Sequence, residues 1–137
     1  MQIEFQKAMQ QLVVNQTLNL KEISKFSAVD FRLGIQWLVT EEQPDLAQAL
    51  AEAGLALFPM SEDILAISGL LAMTREDWPL AIELLQDLFS LQKDRVQPMT
   101  CQMLARALAC NLDIAEAHQV LDQAMKLWPN NPELEQE

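Results

Sequence analysis

"LDIAEAHQVLDQAMKLWPNNPE", Leu112 to Glu133, decides how the rest of the chain is read. Asp113 is a helix-starting residue, because its short side chain can accept a hydrogen bond from an unpaired N–H of a first turn. Ala117, Val120, Leu121, Ala124 and Leu127 follow at steps of three or four, which puts them on one stripe of a helix. Pro129 then bars continuation. The stretch is either a solitary helix or the last copy of a unit the chain has already used.

Comparison of the chain with itself favours the second reading. Set above "REDWPLAIELLQDLFSLQKDR", Arg75 to Arg95, the closing stretch places Asp113 over Asp77, Ile114 over Trp78, Ala117 over Ala81, Leu121 over Leu85 and Leu127 over Leu91. "EEQPDLAQALAEAGLALFPMS", from Glu41, brings Ala47 under Ala81, Leu57 under Leu91 and Pro59 into the slot of Pro129. Ala47, Ala81 and Ala117 are thus 34 and then 36 residues apart. Each unit also has a partner helix before it: "SAVDFRLGIQWLVT", "SEDILAISGLLAMT" and "QPMTCQMLARALAC". Ile35, Gly69 and Ala105 recur there at the same intervals, with Leu38, Ala72 and Leu108 three residues later. Ser27 and Ser61 suit N-caps, and Pro98 suits a first helical turn. Each unit therefore reads as helix, short turn, helix.

Composition agrees. Half of the 137 residues are hydrophobic, there are only 3 Gly and no Tyr, and helix formers such as Ala, Leu, Gln, Glu and Met abound. No strand alternation or hairpin signal is evident, so the expected class is all-α. The formal net charge of −11, from 20 acidic and 9 basic residues, repels phosphate backbones and anionic lipid heads. Nucleic acid and membrane are therefore not expected partners. "MQIEFQKAMQQ" lacks the basic start and long apolar core of a signal peptide, and no apolar run is long enough to span a bilayer. A cytoplasmic location is the expectation. Cys101 and Cys110, nine residues apart on one predicted helix, face opposite ways and cannot pair with each other; both read as small buried hydrophobes.

A period of 34 built of paired helices resembles the tetratricopeptide repeat. The family's small-residue sites are matched by Gly69 and Ala105 in first helices, by Ala47, Ala81 and Ala117 in second helices, and by Gly54 and Ala124 further along. Its terminal proline is matched by Pro59 and Pro129. Ile35 and Leu88 are large where the family is small, Lys93 replaces a proline, and two residues are inserted near "KDRVQ". The resemblance implies a helix-pair solenoid of three repeats, 28–61, 62–97 and 98–131, after an N-terminal helical extension over 1–27 and before a polar tail, 132–137. In the extension, Ile3, Phe5, Ala8, Met9, Leu12 and Val13 make an apolar helical stripe, and Asn19 and Glu22 have capping-box spacing. No solvating helix is evident after the last repeat, so its end, near Trp128, is expected to be exposed or covered by a second chain.

Signatures of catalysis or metal binding are not evident. His118, the single histidine, has no ligand neighbours at metal spacing and reads as a surface or interface residue. There is no phosphate loop and no CxxC. The pairs Glu41–Glu42 and Glu62–Asp63 sit at predicted helix edges, the second complementing a helix N-terminus. Neither an enzyme nor a cofactor is expected.

The resemblance also implies that the first helices line a concave groove. Beside the core sites they carry Val29, Arg32, Leu33, Gln36 and Val39; then Asp63, Ala66, Ile67, Leu70 and Met73; then Met99, Gln102, Met103 and Arg106. The family's clamp for acidic C-terminal peptides uses Lys, Asn and Arg, whereas Arg32, Gln36, Ala66, Ile67, Met99 and Met103 stand here, so that ligand is not expected. The candidate binding residues are Arg32, Gln36, Ile67, Leu70, Met73, Met99, Gln102, Met103 and Arg106. A Met-rich, apolar lining suits an amphipathic helix or apolar peptide of another protein. The alternatives, a groove filled by the chain's own N-terminal helix or residues that belong to the core, stand equally open on sequence. Size, acidity and repeat number are similar to tetratricopeptide-repeat chaperones of bacterial type III secretion. The competing expectation is a self-associating, homodimeric scaffold.

Overall fold

The computed structural model describes residues 26–127. The apolar stripe of Ile3 to Val13, the Asn19–Glu22 capping box, Trp128, the stop at Pro129 and the polar tail lie outside the described residues. Within them are six α-helices, one 3-10 turn and no strand. Helix α1 is Ala28–Thr40, α2 Pro44–Leu57, α3 Glu62–Thr74, α4 Trp78–Gln92, α5 Pro98–Cys110 and α6 Ile114–Leu127; the 3-10 turn is Lys93–Arg95. Helices α1 and α2 pack together, as do α4 and α5, and α5 and α6.

Each helix begins where a local signal stands. Ser27 and Asp30 form a capping box: the Asp30 amide donates to Ser27 Oγ over 3.2 Å, and the Ser27 amide to Asp30 Oδ2 over 2.9 Å. Ser61 Oγ accepts from the Ile64 amide before α3, and Asp77 Oδ1 from the Leu80 amide in α4. Proline occupies the first turn of α2, α4 and α5, where its missing N–H costs nothing. Asp113 enters α6 differently from the expected side-chain cap: its carbonyl accepts from the Ala117 amide, and its carboxylate accepts from the Asn111 side-chain amide over 3.0 Å.

The turn inside each helix pair is the same structure three times. The Gln43, Asp77 and Asp113 amides donate back to the carbonyls of Leu38, Ala72 and Leu108 over 2.8, 2.9 and 2.8 Å. Inside those links the Glu42, Glu76 and Leu112 amides reach Val39, Met73 and Ala109. This is the Schellman arrangement, which satisfies the last carbonyls of a helix and needs one left-handed residue. Glu42, Glu76 and Leu112 supply it, at φ of 58°, 61° and 69°. Gln43, Asp77 and Asp113 at once accept from Ala47, Ala81 and Ala117, so the residue that closes one helix opens the next.

The chain forms two compact units, divided between Ser68 and Gly69 within α3. In the first, Phe31, Ile35, Leu38, Ala47, Leu50 and Ile64 are fully buried, and Phe31 meets Phe58 edge to face at 5.8 Å. A Cβ on Gly54 would lie 3.3 Å from both Ile64 and Phe31, so the absent side chain permits a close approach. In the second, Ala72, Ala81, Leu85, Leu88, Ala105 and Leu108 are buried, and a Cβ on Gly69 would lie 3.0 Å from Leu85 Cδ2. A smaller cluster of Val96, Cys101 and Ala124 is flanked by Phe89 and Val120.

The small residues expected in close contacts, Ala47, Gly54, Gly69, Ala81, Ala105, Ala117 and Ala124, are all buried, as are the large Ile35 and Leu88. Burial weakens along α6. Leu121 is half-buried and Leu127 is 49% exposed, whereas Leu85 is fully buried. No described helix lies beyond α6 to cover them. The two cysteines also differ: Cys101 is buried and Cys110 exposed, which corrects the expectation of two buried thiols. Nine residues turn a helix by about two and a half revolutions, so the spacing that keeps the thiols apart also sends Cys110 into water.

Candidate functional site

On α5 the core is met by Cys101, Leu104, Ala105 and Leu108, all buried. Met99, Gln102, Met103 and Arg106 follow the i, i+3, i+4, i+7 spacing and so share the opposite stripe. Met99 is 65% exposed, Arg106 is exposed, and Gln102 and Met103 are half-buried. On α3 the same division separates Leu65, Ser68 and Ala72, which are buried, from Ile67, Leu70 and Met73. Leu70 is 46% exposed; Ile67 and Met73 are half-buried. On α1, Gln36 is exposed and Arg32 half-buried, while Asp30, Phe31, Ile35 and Leu38 are buried. Each first helix thus carries its candidate residues on a face other than its core face. The structure joins them helix by helix: Arg32 and Gln36 on α1, Ile67, Leu70 and Met73 on α3, and the four on α5.

Arg32 is already engaged. Its Nε lies 3.6 Å from Asp63 Oδ1, and that nitrogen is buried without a hydrogen bond. The separation makes this an ion pair rather than a hydrogen bond.

A concavity lies elsewhere, between the end of α4, the 3-10 turn and the last turns of α6. It encloses about 320 Å³ and is lined by Phe89, Lys93, Val96, Gln123, Lys126 and Leu127. The sequence reading missed it, although the inserted residues near "KDRVQ" marked the place.

His118 is exposed on α6. Among the described residues no group of three or more His, Cys, Asp or Glu could hold a metal ion, and no helix is long and apolar enough to cross a membrane. The burial of Cys101 pushes its thiol from the usual 9.0 to about 11, with its own backbone hydrogen bond acting weakly the other way. A thiol so protonated is a poor nucleophile. Compared with known proteins, the chain matches no family model and no curated protein.

Proposed function

We propose that this chain is a non-catalytic protein-interaction module, built of tetratricopeptide-like helix pairs stacked as a solenoid, which binds an apolar helix or extended peptide of another protein along the outer faces of its first helices. The observation that carries the reading is that α3 and α5 keep large apolar side chains in water on faces their own cores do not use, Leu70 at 46% and Met99 at 65% exposure. Burying such surface is worth roughly 25 cal/mol per Å² before ordering costs are subtracted. Methionine adapts to an irregular apolar partner, and Arg106 adds a cation that can meet a partner's carboxylate or helix C-terminus. A small acidic cytoplasmic chaperone or adaptor, of the type III secretion kind, is the most specific form of this proposal.

The test is a pull-down from the source organism with wild type, Leu70→Glu and Met99→Glu, each variant also being melted. The expected result is a partner retained by wild type and lost by both variants, with melting temperatures nearly unchanged, because a carboxylate desolvated in the complex is costly while one in water is not. Undiminished capture by both variants would place the interface elsewhere.

A second reading, a self-associating scaffold, is favoured by α6, where Ile114, Met125 and Leu127 are 49%, 43% and 49% exposed. It requires a dimer in sedimentation that Met125→Glu dissociates.

A further inference from the structure

The cleft beside the 3-10 turn combines two features. Phe89, Val96 and Leu127 make it apolar, and Lys93 and Lys126 add positive charge. The protein as a whole carries −11, with only 9 basic residues, so two lysines on one small apolar cleft run against its general field. Among the described residues, neither ammonium group has an ion-pair partner.

The backbone supplies a separate observation. The step from Ala81 to Ala117 is two residues longer than that from Ala47 to Ala81, and the turn at Lys93–Arg95 lies in this longer step. Buried Gln92 holds it, its Oε1 accepting from the Gln97 amide over 3.1 Å. Lys93 sits at φ 45° and ψ −107°, a conformation that glycine adopts readily and other residues adopt at a cost. A long cationic side chain is kept there, at the edge of the cleft.

The geometry points to a binding site for an acidic amphipathic peptide of another protein. Its apolar side chains would rest on Phe89, Val96 and Leu127, and its carboxylates would pair with Lys93 and Lys126. Charge complementarity selects this occupant: a neutral apolar segment would leave both ammonium groups unused, and a basic one would be repelled by them locally. The volume suits one or two large side chains, at the lower end of ligand-sized sites. This inference does not depend on the first-helix surface proposed above.

The experiment is fluorescence anisotropy of the full chain with a labelled synthetic peptide alternating Glu with Leu and Phe, and with its counterpart carrying Lys in place of Glu. Non-specific attraction to a protein of this charge favours the Lys peptide. The site requires the reverse: saturable binding of the Glu peptide, weakened by salt, reduced at least tenfold by Lys93→Glu and by Lys126→Glu, and unchanged by Gln119→Glu, which puts the same charge on an exposed part of α6 outside the cleft. Preference for the Lys peptide, or unchanged affinity in both lysine variants when their melts match wild type, would overturn it. A dimer of the wild-type chain that Lys93→Glu dissociates would give the cleft to a second copy instead. Tighter peptide binding after Glu133, Glu135 and Glu137 are all changed to Gln would give it to the chain's own tail. Either outcome overturns the peptide assignment.

Discussion

The Asp77 amide donates to the Ala72 carbonyl over 2.9 Å, and Glu76, caught inside that link, is held at φ 61°. An L-residue in left-handed backbone costs about 1–2 kcal/mol, a penalty glycine escapes. Part of the gain is offset by the greater freedom of glycine in the unfolded chain. Glu42→Gly, Glu76→Gly and Leu112→Gly should therefore each stabilise the protein by about 0.5–1 kcal/mol. Urea melts of the single variants measure this directly, and a loss of stability in all three would contradict the turn geometry.

Gly69→Ala should act in the opposite sense. Mid-helix, alanine is favoured over glycine by about 1 kcal/mol. The new Cβ, however, would stand 3.0 and 3.1 Å from Cδ2 and Cγ of Leu85, which is fully buried and has little room to yield. Overpacking of this kind costs about 1–3 kcal/mol, so a net loss is expected. Gly54→Ala meets only side-chain neighbours at 3.3 Å and should be the milder change. Thermal melts that rank the two the other way would disprove this packing.

Ser68 is 4% exposed, and its hydroxyl has no hydrogen-bond partner in the structure. Desolvating a hydroxyl without compensation is unfavourable. Ser68→Ala should leave stability unchanged or raise it by up to about 1 kcal/mol. A drop of that size in chemical denaturation would reveal a bond that this geometry lacks.

The Cys101 thiol gives a pH dependence with a definite sign. Its pKa is raised by burial from 9.0 to about 11, so the native state holds the proton over a range in which the unfolded chain releases it. The stability linked to that proton is fully present below about pH 9 and is lost as the pH rises to about 11. Stability measured across this range should fall less steeply in Cys101→Ala than in wild type. In the native state at neutral pH, iodoacetamide should label exposed Cys110 and spare Cys101, as mass spectrometry would show.

The Arg32–Asp63 pair should contribute little to folding. The two side chains are 33% and 52% exposed, and such pairs are worth under about 1 kcal/mol. A double-mutant cycle with Arg32→Gln and Asp63→Asn should return a coupling of that size. A much larger coupling would identify the pair as a structural clamp.

Much of the helical order was readable because it rests on local chemistry. Ser27, Ser61, Pro98 and the small residues at Ala47, Ala81 and Ala117 announce helix starts and close contacts through spacing alone. What was not readable depends on neighbours distant in sequence. Asp63 lies one helix pair away from Arg32, and no periodic pattern shows that it would claim the guanidinium. The exposure of Leu127 was hidden because its register matches Leu57 and Leu91, which have described helices after them; what packs over a residue is not a property of the residue. The lysine-rimmed cleft arises from an interruption of the repeat, where an alignment by period carries least information.

The shared residue at each turn bears on how chains of this design can change length. Leu38 to Ala47, Ala72 to Ala81 and Leu108 to Ala117 are the same step, because Gln43, Asp77 and Asp113 each bond in both directions. One residue more or fewer there would break two sets of bonds and rotate one helix against its partner. The segment after α4 has no such double duty, and it is there that the 3-10 turn takes up the longer step. Insertions and deletions should therefore be tolerated at 93–95, ahead of buried Val96, and purged at 41–43, 75–77 and 111–113, making the connection between pairs the place where related chains are free to differ.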